Sequence, residues 1–397
     1  MSDLLTIDEA VARILAHAAL LPEEAVPVGD AAGRVLRRPA VATVDLPPFA
    51  SSAMDGFAVR VSDLPGELPV AFRVAAGTPA PESLPPGAAA AISTGGAVPA
   101  GADAVVPVEL VEDRGDTVVL AVAAVSGQHV RPRGGDVERG ALVVDSGTWI
   151  REAQIGSLAA AGIAEVTCSR RPRVAILATG SELRPPGTAL EPGQIYESNR
   201  AMLAALLARA GAQVDVLPVV ADDAGAHREA IAQGLEADVL VTSGGVSMGE
   251  HDLVRAVEAE LGVEEVFWGV AIKPGKPLSF GVRGETLVFG LPGNPVSSLV
   301  GALVFVAPAL LARQGAADPR ARHLVGRAAR SLRRNPHRDE YVRAVRTPNP
   351  FEVELDPIRG QESHMIARAA AADALVHVPS GEGEIAAGEV VRYLPLD

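Results

Sequence analysis

The residues best suited to chemistry lie in the run ADVLVTSGGVSMGEHD at 237–252. Its apolar stretch at 239–241 passes straight into Thr242, Ser243, Gly244 and Gly245, and the run closes on Glu250 and Asp252 where a helical pattern begins. The order is strand, glycine turn, helix. A parallel strand ending in glycines lets backbone approach a ligand closely, and the start of the next helix offers free N–H groups to an anion. Phosphate or oxyanion binding is the chemistry this supports, although two glycines in a turn also serve plain loop geometry. Nearby, Lys273 and Lys276 flank Pro274 and Gly275 and supply point charges for anionic oxygens.

These groups need a scaffold that gathers them. From Arg173 onward apolar strands alternate with helical patterns at about 199–210, 224–234, 252–261 and 295–311, which predicts a three-layer α/β domain on a parallel central sheet. Ligands of such domains collect at the carboxyl ends of the strands. Polar residues fall at those ends in succession: Thr179, Gly180, Ser181 and Glu182; Asp222 and Asp223; Ser243 through Ser247 to Asp252; Lys273 and Lys276; and Pro292, Gly293, Asn294 and Pro295. Carboxylates from three loops can hold Mg²⁺, which takes one or two of them together with substrate phosphate and water. Asn294 before Pro295 reads as a helix N-cap followed by the first helical position.

Upstream, Thr6 and Glu9 make a capping box, and Val11, Ile14, Leu15 and Ala18 predict an amphipathic helix over 7–20. Residues 60 to 145 read as short strands punctuated by Pro and Gly, a mostly β domain. Within and before it Ser51, Ser52, Asp55 and Gly56, then Thr94, Gly95 and Gly96, crowd hydroxyls and a carboxylate into turns; composition alone favours plain turns. Arg131 and Arg133 flank Pro132 beside two glycines, a phosphate clamp or a solvated turn. After about residue 320 short strands return, with Arg343 and the loop Gln361, Glu362, Ser363 and His364 in reach of a neighbouring site. His364 lacks a second His or Cys at metal-ligand spacing, so it is not taken as a ligand.

Composition excludes several classes. With 397 residues the chain needs more than one core. A formal charge of −14 and a pI near 5.1 argue against a general nucleic-acid surface, and 3% aromatics against base-stacking platforms. The single Cys168 rules out an intrachain disulfide or multi-Cys metal site and reads as a buried thiol. No window of 18 uninterrupted apolar residues is found and the start is acidic, so neither a membrane span nor a signal peptide is expected and cytoplasmic residence is the default.

Seven motifs then carry a resemblance. SAMDGFA at 52–58, STGGAVPAGADAVVPVE at 93–109, ATGSEL at 178–183, GQIYESN at 193–199, TSGGVSMGEHD at 242–252, KPGKP at 273–277 and GLPGNPVS at 290–297 are similar, in order, to those of the molybdopterin molybdenumtransferase family, MoeA and the gephyrin E-domain. The resemblance spans nearly the whole chain. It implies a molybdopterin-binding-like α/β domain at 173–318, a mostly β domain at 46–139, a small C-terminal β-barrel-like domain at 319–397, and an elongated, discontinuous linker domain from 1–45 and 140–172. It implies a homodimer whose cleft is completed by the partner's β domain, and a reaction in which molybdate is inserted into adenylylated molybdopterin with Mg²⁺ and release of AMP.

Carried over by motif, Asp55, Glu182, Asp222, Asp252, Lys273 and Lys276 are the expected catalytic residues, with Asp55, Glu182 and Asp252 as metal ligands. Thr94, Arg133, Thr179, Gly180, Ser243, Gly244, Gly245, Ser247, Pro292, Asn294, Arg343 and Ser363 are the expected substrate contacts. Departures from the family pattern are Ala50 and Ser51 in place of Asp-Asn, Phe57 in place of tyrosine and Ser181 in the TGSE motif. Two rivals share parts of the pattern: the adenylyltransferase that prepares the substrate, also a candidate partner, resembles the α/β domain alone, and gephyrin uses the same dimer as a scaffold. The extra β domains favour the transferase over the first, and retention of Glu182, Asp252 and both lysines weighs against a purely scaffolding role.

Overall fold

The computed structural model describes residues 4–220, 223–245, 253–348 and 352–396. At its centre a six-stranded sheet runs in the order Gln213–Val216, Arg173–Ala178, Val239–Ser243, Thr286–Leu291, Ser279–Arg283, Glu264–Trp268. The first four strands are parallel, as the alternating pattern predicts. Ser279–Arg283 alone opposes them, because only Gly284 and Glu285 separate it from Thr286–Leu291 and so short a link can only make a hairpin; Glu264–Trp268, antiparallel to it in turn, runs with the first four.

Alternation along each strand feeds two cores. Val174, Ile176, Val239, Val241, Leu287 and Phe289 face one side, where Leu203 and Leu207 of helix Asn199–Arg209 and Phe305 and Leu310 of the helix spanning Pro295–Gln314 meet them. Ala175, Leu177, Leu240 and Val288 face the other, under Ile231 of helix Ala224–Gly234 and Val254 and Val257 of helix Leu253–Glu260. The sheet is therefore the middle of three layers. The helix Pro295–Gln314 is long and apolar enough to cross a membrane, but two-thirds of it is buried here as a core element. It widens to π geometry at Ala302–Val306, which accommodates Pro308, a residue with no N–H to continue the regular ladder.

The capping box at Thr6 forms: the Thr6 hydroxyl accepts from the Glu9 N–H, and the Thr6 N–H donates to the Glu9 carboxylate at 2.8 Å. Helix Ile7–Ala16 ends sooner than periodicity predicts; the His17 backbone N–H folds back on the Ile14 and Leu15 carbonyls, and Pro22 follows. Its buried face, Ala10, Val11 and Ile14, packs into the α/β core. The linker core proper joins distant segments, since Glu23–Pro27 pairs antiparallel with Glu165–Ser169 around Val26, Leu36, Leu158 and Cys168. Burial pushes the Cys168 thiol above its ordinary pKa, as expected of an inert thiol.

Residues 51–131 carry a curved six-stranded sheet in the order Ala104–Pro107, Gly56–Val59, Ala89–Ile92, Gly66–Val74, Thr117–Leu120, Glu112–Asp113. At the C-terminus five strands, Asp339–Pro348, Val353–Pro357, Leu324–Ala328, Val390–Pro395 and Ala374–Val378, close into a barrel when the last pairs back on the first. This barrel is joined to the α/β body. Ile272–Lys273 adds to its edge alongside Asp339 and Glu340, and Tyr341, Leu375 and Leu394 enter the α/β core.

At that junction the His323 ring stacks on Tyr341, its Nδ1 lies 3.2 Å from the Ala321 carbonyl and its Nε2 lies 3.0 Å from the Tyr341 hydroxyl. The carbonyl requires Nδ1–H, so Nε2 accepts from the tyrosine. Burial first, then the charges of Arg392 and His377, lower the His323 pKa from 6.5 to about 4, while Asp8 opposes them. Unfolding exposes a ring that titrates near 6.5, so the unfolded chain binds the extra proton first and this contribution to stability is complete above that pH. It is lost as pH falls from 6.5 towards 4. Thermal denaturation of wild type and of His323→Gln across this range is the check: the variant's midpoint is expected to fall less steeply, and equal slopes would remove His323 as the cause.

Candidate active site

Two adjacent parallel strands set the floor of the site. Val239–Ser243 and Thr286–Leu291 end level, Ser243 opposite Leu291, and the Gly244 N–H then donates to the Leu291 carbonyl at 3.0 Å. Gly244 and Gly245 adopt φ of +97° and +67°, which side chains rarely allow. A Cβ on Gly244 would stand 2.9 Å from the Thr179 carbonyl, and one on Gly245 2.5 Å from Val254. The glycines are thus required by close approach as well as by backbone angle.

Around this floor opens a cavity of about 810 Å³. Thr179, Gly180, Glu182, Ser243, Gly244, Gly245, Pro292 and Asn294 all border it, so residues from three strand ends expected to meet do meet. The Glu182 carboxylate folds over Gly180, where an added Cβ would lie 2.5 Å from it. Asn294 occupies the N-cap of the helix that opens at Pro295, as predicted, yet its side chain makes no capping bond. Instead the Ser363 carbonyl takes the Val296 N–H at 3.0 Å, and the Ser298 hydroxyl donates to the Pro292 carbonyl. Asp222, Ser247, Glu250 and Asp252 lie outside the described residues.

Other expected residues stand elsewhere. Arg343 is not a wall residue: it is 1% exposed, and its guanidinium donates to the carbonyls of Met365, Gly360 and Glu362 at 2.6, 2.8 and 3.1 Å. Its role here is to shape the loop that carries His364 and Ile366 to the cavity rim. Lys273 is drawn to the barrel by Glu340, with 2.9 Å between ammonium and carboxylate. Lys276 is exposed on the same loop, next to Pro277 on the wall. Asp55 and Thr94 sit together at one end of the curved sheet, the Asp55 carboxylate accepting from the Thr94 N–H at 2.7 Å. Arg133 pairs with Asp45, whose pKa is held low by the Arg139 backbone N–H and then by Arg133 itself. None of Asp55, Thr94 or Arg133 borders the cavity.

Of the expected magnesium ligands, Glu182 is on the wall and Asp55 is not. Among the described residues no three His, Cys, Asp or Glu side chains converge as a metal site, so the residues described do not make the expected set. Three wall residues had no role assigned from sequence, although Glu197 and Asn199 fall within the GQIYESN motif. Asn199 follows the strand pair 183–184 and 195–196 at the first turn of its helix, Glu197 accepts from the Arg200 N–H and pairs with its guanidinium, and His227 lies beneath the wall on helix Ala224–Gly234. An Asn at a helix start after a strand was the available signal; His227 had none.

Comparison with known proteins follows this geometry. Residues 5–162 match the MoeA N-terminal region (domain I and II), 175–312 a probable molybdopterin binding domain, and 325–396 the MoeA C-terminal region (domain IV). The chain is 38% identical over 387 residues to molybdopterin molybdenumtransferase 2 of Mycobacterium tuberculosis, covering 94% of each. It is 34% identical to molybdopterin molybdenumtransferase of Haemophilus influenzae, covering 99% of each. A crystal structure of the molybdopterin biosynthesis MoeA protein from Pyrococcus horikoshii OT3 superposes with a TM-score of 0.83 at 28% identity, over 99% of this chain and 100% of that one.

The glycine turn generates a test. Gly244→Ala forces a side chain into positive φ against the Thr179 carbonyl, a strain of about 1–3 kcal/mol. Calorimetric titration with inorganic phosphate is expected to show at least ~10-fold weaker binding than wild type, the equivalent of ~1.4 kcal/mol; undiminished binding would remove this turn from the anion site.

Proposed function

The chain belongs to the molybdopterin molybdenumtransferase family and acts in molybdenum cofactor biosynthesis, and from that membership and the cavity we propose that it inserts molybdate into adenylylated molybdopterin with release of AMP. The observation that carries the reading is the convergence of the Gly244–Gly245 turn, Glu182 and the start of helix Pro295–Gly301 on one cavity of about 810 Å³, within the range of ~300–1,000 Å³ typical of small-molecule sites. Hydroxyls at that floor and the lysines of the neighbouring loop suit two anions, molybdate and a phosphoanhydride, whose mutual repulsion must be offset before they react. The P–O bond to the adenylyl phosphorus breaks, water supplies the replacing oxygen and AMP leaves, while two Mo–S bonds form to the dithiolene and one molybdate oxygen departs as water with the two thiol protons.

In this reading Lys276 reaches over the rim to the oxyanions, and Lys273 joins it when Glu340 releases its ammonium. The Thr179 and Ser243 hydroxyls and the Gly245 N–H hold the phosphate end, since the N–H groups of Thr179, Gly180 and Gly244 are taken by the Ser243, Val220 and Leu291 carbonyls. Magnesium would arrive on the phosphates and meet Glu182, and no step is routed through it. A homodimer is part of the proposal, with Asp55, Thr94 and Arg133 of a second copy lining the far side of the cleft. Its support is an exposed apolar pair, Val41 opposite Leu142, of which Leu142 borders a groove with Leu46 and Val143. Cytoplasmic residence and contact with the substrate-supplying adenylyltransferase complete it.

The test follows AMP and metal-loaded cofactor from purified protein given adenylylated molybdopterin, molybdate and Mg²⁺. Wild type is expected to turn over, and Lys276→Ala and Glu182→Ala each to lose at least ~100-fold in rate while keeping the wild-type melting profile. Product from ATP and free molybdopterin instead would identify the adenylyltransferase, and no product from either substrate would leave the scaffold reading.

A further inference from the structure

A hydroxyl can donate or accept, and at an anion site the choice decides whether it attracts or repels. That choice matters here because the backbone of the strand-end floor is largely occupied: the N–H groups of Thr179, Gly180 and Gly244 are taken by the Ser243, Val220 and Leu291 carbonyls. Neighbouring hydroxyls are engaged as well. The Thr242 hydroxyl donates to the Phe289 carbonyl at 3.4 Å, and the Ser298 hydroxyl donates to that of Pro292. What the floor offers an anion therefore turns on the hydrogens of the Thr179 and Ser243 hydroxyls and on the Gly245 N–H.

Ser243 differs from Thr242 and Ser298 in the direction of its bond. It is buried and borders the cavity, and its Oγ lies 2.8 Å from Nδ2 of Asn199. The same Nδ2 lies 2.7 Å from the Gly293 carbonyl. A carbonyl only accepts, so the group facing it is the NH₂, whose two hydrogens go one to Gly293 and one to Ser243. The Ser243 oxygen accepts from Asn199, and its own hydrogen must point elsewhere. Among the described residues no acceptor receives that hydrogen.

We infer that Asn199 is a positioning residue for the transfer reaction: by donating to Ser243 Oγ it commits the Ser243 hydroxyl to donating into the cavity, toward a bound oxyanion. This rests on the cavity being the substrate site proposed above. Asn199 acts through Ser243 without itself holding the anion. The tie is rigid, because Asn199 opens helix Asn199–Arg209, Ser243 ends strand Val239–Ser243 and Gly293 lies in the turn after Thr286–Leu291, so one amide joins three elements. A hydroxyl aimed before the anion arrives needs no reorganisation when it binds. The bond it accepts also polarises its O–H and strengthens its donation.

A double-mutant cycle on the full-length protein, read by calorimetric titration with inorganic phosphate, separates this from a packing role. Ser243→Ala is expected to weaken phosphate binding at least ~10-fold and Asn199→Ala at least ~5-fold, whereas in Ser243→Ala protein the Asn199→Ala change is expected to add less than twofold. Asn199→Asp keeps the shape but accepts the Ser243 hydrogen instead of supplying one. Its charge repels phosphate with or without the hydroxyl, so its effect is expected to be at least ~5-fold larger when Ser243 is present than in Ser243→Ala protein. The inference is overturned if wild type does not bind phosphate, if either alanine variant binds it as wild type does, or if the two losses multiply in the double variant, which would mark Asn199 as packing alone. None of these titrations needs turnover: coupling in a protein that releases no AMP would refute the catalytic reading and leave this one standing, and AMP release without coupling would do the reverse.

Discussion

The site depends on the level ending of two neighbouring parallel strands. Ser243 and Leu291 stand opposite each other, and past them each chain must turn away within one or two residues to clear the other. A side chain at Gly244 would collide, its Cβ coming within 2.9 Å of the Thr179 carbonyl, whereas a Cβ on Gly293 would rest in ordinary contact, 3.7 Å from the Gly244 Cα. With glycine at 244 the loops nest and the backbone itself becomes part of the surface a ligand meets. The Asn199 amide then locks the arrangement by donating to both sides of it at once.

Buried guanidinium groups hold the larger pieces in relation to that floor. Arg313, 2% exposed, donates to the carbonyls of Asp238 and Glu285 at 2.7 and 2.8 Å and to that of Ala19 at 3.2 Å, which fixes the rear ends of the two central strands to the N-terminal segment. Arg343 does the same service at the front, where three carbonyls of the 360–365 loop converge on one fork. Burial lowers the pKa of both, but they remain hydrogen-bonded donors to neutral oxygens. A rigid planar fork can satisfy several carbonyls at fixed angles, which a lysine's single ammonium does less well. The C-terminal barrel is thereby part of the cavity wall through His364 and Ile366, and not an appendage.

The same coupling explains the state of the lysine loop. Lys273 continues a short strand that pairs with Asp339 and Glu340, so the backbone that positions its ammonium also delivers the carboxylate that binds it. An ion pair with a half-exposed lysine is worth on the order of 1 kcal/mol or less and is readily exchanged for a stronger anion. Substrate oxyanions can therefore compete for Lys273 without large rearrangement of the barrel.

Sequence alone determined the local facts: the capping box at Thr6, the strand Val239–Ser243 running into two glycines with a helix from Leu253, the N-cap position of Asn294 and the gathering of Thr179, Glu182 and Ser243 at strand ends. Each follows from periodicity or turn chemistry within a dozen residues, where one backbone geometry dominates. Tertiary structure decided what long-range packing controls. It turned Arg343 inward, paired Lys273 with Glu340, packed the first helix onto the α/β core and set Asn199 against Ser243. Those outcomes hang on partners outside any local pattern, from 17–22 residues away for Arg343 to 294 between Arg313 and Ala19, and no short-range pattern records the partner a buried polar group will find.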